Sequence, residues 1–370
     1  MGIYFTFVRS SKKMKILVLT RYSSLGASSR YRFYQYIPYF QDKGAQITIE
    51  PLLSDNYINY LYNKTQFPLI EIIRKYFERI FFLLEKNKYD IIWLQQEAFP
   101  WIPSFIETFL LKSKTPIVVD HDDAFFHRYD LHKSASVRKI LGNKIDKTMR
   151  ISNLVIVGNS YLAERAAKNN CKNIRIIPTV IDIAKYDIKE KKNISGEKFI
   201  AGWIGSPPNA LYIKNIEESL EQFCNSYNGK LHLVGAGKTF LTKIPYENIE
   251  WNEETEVDEI KKFDVGIMPL IDSPWERGKC GFKLIQYMAC GIPVVASPVG
   301  VNKELVKNGV NGFLAETSDD WLKYLKILKD NPDLRKEMGL NGRKLVEDKF
   351  TLQVNAPIIE KIFREITSPY

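Results

Sequence analysis

The chain has 370 residues, of which 45% are hydrophobic and 13% aromatic, enough for two domains of ordinary size with real cores. Its formal net charge is +10, and the surplus falls in residues 1–180, while residues 181–370 carry slightly more acidic than basic side chains. Cys171, Cys224, Cys280 and Cys290 include no C-x-x-C pair, which speaks against a zinc or disulfide framework, and no apolar run approaches the ~18 residues of a membrane span.

A basic half calls for an acidic partner. It contains no signature of a nucleic-acid-binding module, so nucleic acid is not expected and an anionic membrane surface is. The reduced cysteines fit a cytosolic location. Residues 1–13 do not have the order of a secretory signal, since their basic residues follow the short apolar part. They read as a dispensable extension, the alternative being a small amphipathic anchor.

Residues 15–20 read as the first strand, followed by a small-residue loop holding Gly26 and Ser28, a helix over 30–41 and a strand over 46–51. This opens an α/β unit, whose ligands bind beyond the carboxyl ends of its strands. With Gly26 alone it is not the G-x-G-x-x-G fingerprint. Residues 69–86 form an amphipathic helix with Ile72, Ile73, Phe77, Ile80, Phe81 and Leu84 on one side and Arg74, Lys75, Arg79 and Lys86 elsewhere. The apolar side is expected to cover the sheet; the alternative is a patch lying on anionic lipid. A strand over 89–94 and a helix over 102–111 follow.

The next strand, 116–119, ends in Asp120-His121-Asp122-Asp123. A polar cluster at a strand's carboxyl end points into the crevice where α/β enzymes do chemistry. His121 can donate, accept or shuttle a proton near neutral pH. Asp122 and Asp123 can bind hydroxyls, act as a base or cap the next segment. His127 is grouped with this site, whereas His132 and His232 read as surface residues. A strand over 154–157, a helix over 161–168 and a strand over 175–178 complete the first series. The charged stretch 182–198, with Gly196, reads as a linker.

A second α/β series starts with a strand over 199–204, then Gly205-Ser206-Pro207-Pro208-Asn209 and a helix over 210–223. A strand over 230–234 leads into Gly235-Ala236-Gly237-Lys238, which lacks P-loop spacing. Next come a short strand (249–251), a helix (257–263) and a strand (264–270). Residues 277–281 make a basic, glycine-containing loop before a helix over 282–290, with Leu284, Ile285 and Met288 facing the core. Gly291 suits the left-handed stop of that helix, and 294–296 a strand buried on both faces. Unpaired N–H groups at the helix start favour an anion, with Arg277, Lys279 and Lys283 around it and the Gln286 amide one turn on. The loop suits a diphosphate bearing a sugar; the plain alternative is a solvated loop before a core helix. Asn311-Gly312 marks a tight turn, and helices over 321–330, 332–348 and 355–366 end the chain.

Residues 26–38, 282–300 and 304–313 resemble the GT-B glycosyltransferases, and within them the retaining family 4. The run Gln286-Tyr287-Met288-Ala289-Cys290-Gly291-Ile292-Pro293-Val294-Val295-Ala296-Ser297 is fairly specific to this group. The resemblance implies an α/β fold of GT-B architecture, two Rossmann-like α/β/α domains facing a cleft. Residues 1–183 would form an acceptor domain, 184–351 a donor domain, and the final helix, 352–370, would cross back to the first. The implied reaction moves a sugar from a nucleotide-diphosphate donor (UDP or GDP) to a hydroxyl of a glycan or lipid-linked acceptor, with retained configuration and no metal or other cofactor. The implied setting is bacterial cell-surface polysaccharide or lipopolysaccharide synthesis, at the inner face of the cytoplasmic membrane.

The chain departs from that family at several positions. Gly278 and Gln286 stand where the family has two glutamates, with Glu276 a substitute for the first. Gly205-Ser206-Pro207 replaces a basic pair, for which Arg277, Lys279 and Lys283 are substitutes, and Thr179-Val180 replaces an Asn-Gly near Ile177-Pro178 and Asp182. The implied catalytic residues are His121, Asp122, Arg277 and Lys279. Donor-binding residues are Gly26, Gly205, Ser206, Glu276, Gly278, Gly281, Phe282, Lys283 and Gln286; acceptor-binding residues are Ser28, Arg30, Asp123 and His127. Three alternatives remain: a degenerate nucleotide-sugar binding subunit, a sugar-nucleotide epimerase of the same fold, and a metal-dependent GT-A enzyme reading Asp120-His121-Asp122 as its D-x-D.

Overall fold

Ile16, Leu17, Val18 and Leu19 are all buried, the pattern of a strand covered on both faces in a parallel sheet. In the computed structural model, which describes residues 13–63, 65–188, 198–238, 241 and 244–368, this strand is β1 (Lys15–Tyr22). It joins β2 (Gln46–Leu53), β3 (Ile91–Gln95), β4 (Ile117–His121), β5 (Leu154–Val157) and β6 (Ile174–Ile176) in the order β2-β1-β3-β4-β5-β6. The second sheet comprises β7 (Phe199–Ile204), β8 (Gly229–Val234), β9 (Tyr246–Ile249), β10 (Val265–Met268), β11 (Val294–Ala296) and β12 (Gly312–Leu314), ordered β12-β11-β10-β7-β8-β9. Every pairing is parallel.

Alternation along β1 divides its side chains between two cores. Leu17 and Leu19 pack on one face of the sheet, Ile16 and Val18 on the other. The second sheet likewise separates Ala201 and Trp203 from Ile204. Each sheet is therefore a helix-sheet-helix sandwich, and both are Rossmann-like.

Five helices shape the cleft and its surroundings: α1 (Ala27–Arg32), α2 (Leu69–Leu84), α3 (Ser104–Leu111), α4 (Phe282–Ala289) and α5 (Leu352–Thr367). The chain passes between the sheets twice, and the two passages touch. Ile181 N–H bonds Phe350 O at 3.1 Å, and Leu352 N–H bonds Ile181 O at 2.8 Å. Beyond that point α5 crosses back to the first sheet. There Phe363 stacks on Phe40 (centroids 5.5 Å apart) and meets Trp93 edge-on, while the Tyr39 hydroxyl donates to Glu360 at 2.7 Å.

Strands 154–157, 199–204 and 294–296 lie as their apolar runs predict. The helix expected over 30–41 is instead two, α1 and Ile37–Asp42. Pro38 has no N–H for a bond back to Tyr34 and its ring would clash there, so the chain restarts at the proline. The stretch 210–223 is similarly divided, into Pro207–Ala210, a 3-10 segment and Glu217–Ser226. The strand expected at 249–251 lies earlier, at Tyr246–Ile249, which leaves Trp251 beyond the sheet. The turn expected at Asn311-Gly312 is made just before it, where Val310 N–H bonds Lys307 O, and Gly312 begins β12. Helices at Asp55–Asn63, His127–Asp130, Ala135–Leu141 and Lys144–Ile151 lack a strong enough pattern to be expected. Residues 1–12 and 189–197, hence most of the leading segment and of the linker with Gly196, lie outside the described residues.

The sidedness of α2 departs from the expected one, although Ile80 packs on the core as expected and Arg74 is exposed. Phe77, Phe81, Leu84 and Ile73 are exposed, and Arg79 is buried. Its guanidinium donates to Thr20 O (2.6 Å) and Glu50 O (2.7 Å), closing the carboxyl ends of β1 and β2. His232 is also not on the surface: it is buried in β8, edge-on to Phe263, because alternation along the strand turns it toward a helix-covered face. His132 is half-buried against Trp101.

Candidate functional site

The basic loop begins as a short helix, Pro274–Arg277, passes through Gly278, Lys279 and Cys280, and turns into α4 at Gly281. Gly281 has φ +65°, and a side chain there would also run into Leu305. That left-handed residue sets the direction in which α4 leaves the loop. Within α4, Leu284, Ile285 and Met288 are buried, as the helical spacing predicts, and Tyr287 is buried as well. Gly291 ends it with φ +71°.

This loop rests on the carboxyl end of β4 in the other domain. A Cβ on Gly278 would collide with Ala124, so only glycine allows the approach. Asn159 Nδ2 donates to Gly278 O (2.8 Å) and Lys279 O (3.1 Å), and Cys280 Sγ donates to Asp122 O at 2.6 Å. The contacts bring two lysines of the second domain against the Asp-His turn of the first.

Lys279 Nζ donates to Asn209 Oδ1 at 3.1 Å and lies over the Tyr212 ring. Lys283 lies over Trp203, 5.3 Å from the ring centroid, with its Cε against Gly205. Burial lowers the Lys283 ammonium to about 7, and neighbouring Lys279 pushes the same way. Asp123 faces both lysines; burial raises its carboxyl to about 7, against their attraction. His121 is buried in β4 with both ring nitrogens unpartnered, and burial, with the Arg32 charge, lowers it to about 3. Its imidazole is thus neutral, with hydrogen-bonding capacity that the described residues do not use. Below it Arg32 grips Asp120 through Nε (2.8 Å) and Nη2 (2.6 Å), fixing the strand end.

Asp122 turns the other way, toward α1. Ser28 donates to one of its oxygens and Gln96 Nε2 to the other at 3.0 Å, and Gln95 Nε2 donates to Ser28 Oγ at 2.8 Å. Gln96 is fully buried with φ +61°, and its Oε1 lacks a partner. Such a left-handed, non-glycine residue at a sheet's carboxyl end is the kind of strain that collects at functional sites.

Further along α4, the buried Gln286 amide donates to Tyr186 OH at 3.1 Å and approaches Glu256 Oε1 at 3.5 Å. Glu256 also accepts from Trp251 Nε1 at 2.8 Å and from the Tyr31 hydroxyl of the first domain. Phe282 packs on Tyr31, with ring centroids 4.2 Å apart. Beside this group lies a cavity of about 870 Å³ between the two domains, lined among others by Arg30, Tyr31, Trp251 and Glu256.

Asp123, Gly205, Gly278, Lys279 and Lys283 therefore come together, His121 and Asp122 precede Asp123 in the chain, and Gly281 caps the helix that carries Phe282 and Gln286. Ser206 stands before Pro207–Ala210 as its N-cap, and Gly26 before α1 as its own. Glu276 is buried and accepts from Tyr212 and Ser273. Three residues are engaged by other side chains or carbonyls. Arg277 is exposed and its Nε donates to Asp272 at 2.6 Å, an acid five residues earlier in the same loop. His127 spends both nitrogens on Asp130 and Tyr161, each at 2.8 Å. Arg30 bonds Ser24 O at 3.0 Å and lies over Trp251, so it belongs to the cavity rather than to Asp123.

Gln96, Glu256, Trp251 and Asn159 are not singled out by the sequence pattern. Gln95-Gln96-Glu97 was findable, being a polar run at the end of an apolar strand, the same signal that marks residues 120–123. Glu256 and Trp251 lie in a stretch with no motif, and only the fold brings them to Gln286.

Residues 199–330 match the family model described as Glycosyl transferases group 1. The chain is 26% identical over 340 residues to the uncharacterized glycosyltransferase MJ1069 of Methanocaldococcus jannaschii, spanning 82% of this chain and 84% of that one. It is 27% identical over 206 residues to the capsular polysaccharide biosynthesis glycosyltransferase CapM of Staphylococcus aureus, spanning 51% and 50%. Among solved structures, it is similar to sucrose-phosphate synthase from Thermosynechococcus elongatus (TM-score 0.74, 16% identity, 96% of this chain and 99% of that one). It is also similar to Anabaena HepE in complex with UDP and glucose (TM-score 0.68, 17% identity, 94% and 99%). The fold is that of the GT-B glycosyltransferases, and residues 199–330 are similar to group 1 of the glycosyl transferases.

Proposed function

We propose that this glycosyltransferase moves a sugar from a nucleoside diphosphate to a hydroxyl of a glycan or lipid-linked acceptor, with retained configuration, in the synthesis of a cell-surface polysaccharide. The observation that carries the reading is the meeting of Lys279 and Lys283 with Asp123, which follows the unpartnered His121 by two residues at the carboxyl end of β4. In this reading the diphosphate lies at the start of α4. As the bond from the anomeric carbon to the phosphate oxygen breaks, negative charge grows on that oxygen. Lys279, Lys283 and the first-turn N–H groups stabilise it. The acceptor oxygen bonds the anomeric carbon from the same face, and its proton leaves with the diphosphate. His121 holds a sugar hydroxyl, and Asp122, fixed by Ser28 and Gln96, orients the acceptor side.

Two further observations support the finer parts. The UDP held by HepE and the capsular role of CapM fit a nucleoside diphosphate leaving group and a surface glycan. The apolar ridge of Ile70, Phe77 and Phe81 on α2, continued by Phe105 and Phe109 on α3, fits contact with the face of a membrane; among the described residues no helix is long and apolar enough to cross one.

The test is release of nucleoside diphosphate from a panel of sugar nucleotides, with anionic vesicles and chelator present. We expect release that persists in chelator and falls about 100-fold or more in Lys279→Ala/Lys283→Ala, since each charge-assisted bond contributes roughly 1.5–3 kcal/mol. Nucleotide binding without release across donors and acceptors would instead mark a binding subunit.

A further inference from the structure

The cavity beside Gln286 has a chemical character of its own. Its flat wall is Trp251, held in place by the bond from Nε1 to Glu256. The Arg30 guanidinium lies 4.8 Å from that ring's centroid, and its buried Nε–H has no partner. Carboxylates outnumber cations around the rim. Two of those cations are already drawn to acids, Arg30 to Glu253 at 3.5 Å and Lys261 to Asp258 at 3.4 Å. An aromatic plate, a buried unpartnered donor and a surplus of acceptors therefore share one space.

That space neighbours the basic pair through two closely packed glycines. Gly205 lies against Lys283, and Gly235, just past β8, backs onto both the Gly205 carbonyl and Trp251. A ligand with phosphates at Lys283 would carry its nucleoside past Gly205 toward Trp251.

We infer that the cavity is a guanine site, so that the donor is a guanosine diphosphate sugar; this rests on the nucleoside-diphosphate reading above. Guanine is the common base that offers two adjacent N–H donors, N1–H and N2–H, to one carboxylate, beside the O6 and N7 acceptors that a guanidinium reads. Uracil has one donor between two carbonyls, so a second carboxylate oxygen would face a carbonyl. Adenine and cytosine set a ring-nitrogen acceptor beside their amino group, with the same conflict. Glu256 is occupied by Tyr31, Trp251 and Gln286. Glu253 and Glu254 are exposed on the turn after Trp251, where Asn252 Oδ1 accepts from Glu254 N–H at 2.8 Å; with Glu253 paired to Arg30, Glu254 is the cavity carboxylate left to meet the base edge, and Glu253 holds the guanidinium beside it.

Calorimetric titration of the full chain with GDP, UDP and ADP tests this. GDP should bind about tenfold or more tightly than either of the others. In Glu253→Gln/Glu254→Gln that preference should fall toward parity through loss of GDP affinity, with UDP affinity moving less than about threefold. UDP or ADP binding as tightly as GDP overturns the guanine assignment while leaving the nucleoside-diphosphate reading in place. An unchanged preference in the double variant also overturns it. No affinity for any of the three overturns both.

Discussion

Lys283 and Asp123 are poised by the same burial, in opposite senses. The lysine is lowered to about 7 and the acid raised to about 7, so near neutrality each holds its charge only in part. A diphosphate favours the charged lysine and the protonated acid. As pH rises, both groups lose their protons and the free site becomes more negative, so binding must take protons up. Affinity should therefore fall above about pH 7, by about tenfold per pH unit for each proton taken up. Calorimetry in buffers of different ionisation enthalpy would show that uptake as a buffer-dependent heat; affinity that is flat or rises with pH would contradict the assignment. Lysine, glycine and histidine at these positions were legible in the sequence, through their place at a helix start and a strand end. The direction of Arg277 was not. Asp272 lies five residues away and captures the guanidinium, a choice that spacing along a loop does not encode.

At the scale of elements, α2 shows why periodicity names a helix more readily than its buried side. Apolar residues nearly surround it, so the pattern leaves two candidate faces. The decision comes from Arg79, whose guanidinium satisfies the carbonyls at the ends of β1 and β2, and burial lowers it to about 10 without neutralising it. Turning that face inward leaves Phe77 and Phe81 outside. Phe77→Ser/Phe81→Ser should therefore leave thermal stability within about 2 °C, because little buried area is lost. It should also reduce partition onto vesicles of anionic lipid by about tenfold or more, at about 1.5–3 kcal/mol for each buried aromatic. Co-sedimentation reads the second effect and a melting curve the first. A large fall in melting temperature would show that these residues hold the fold instead. The strands were easier to place, since parallel strands buried on both faces read as continuous apolar runs. Pro38 divided a helix in a way that the wider apolar pattern obscured.

Across the whole molecule, two sheets direct their carboxyl ends at each other, and the chain's double passage at Ile181 and Leu352 holds them as neighbours. The contacts that close this arrangement come from residues far apart in sequence: Gly278 on Ala124, Asn159 on the basic loop, Tyr31 on Glu256 and Phe282. The double α/β plan was legible because each half repeats strand, loop and helix. The pairing of Tyr31 with Glu256 was not, because neither residue belongs to a motif and only the approach of the domains joins them. The central claim is that Lys279 and Lys283, and not Arg277, hold the diphosphate of the donor. Nucleoside diphosphate affinity measured for the native chain, Lys279→Ala/Lys283→Ala and Arg277→Ala tests it most directly. The expected result is a loss of about 100-fold or more in the double variant and less than about threefold in Arg277→Ala; native affinity in the double variant, or its loss in Arg277→Ala alone, would contradict it.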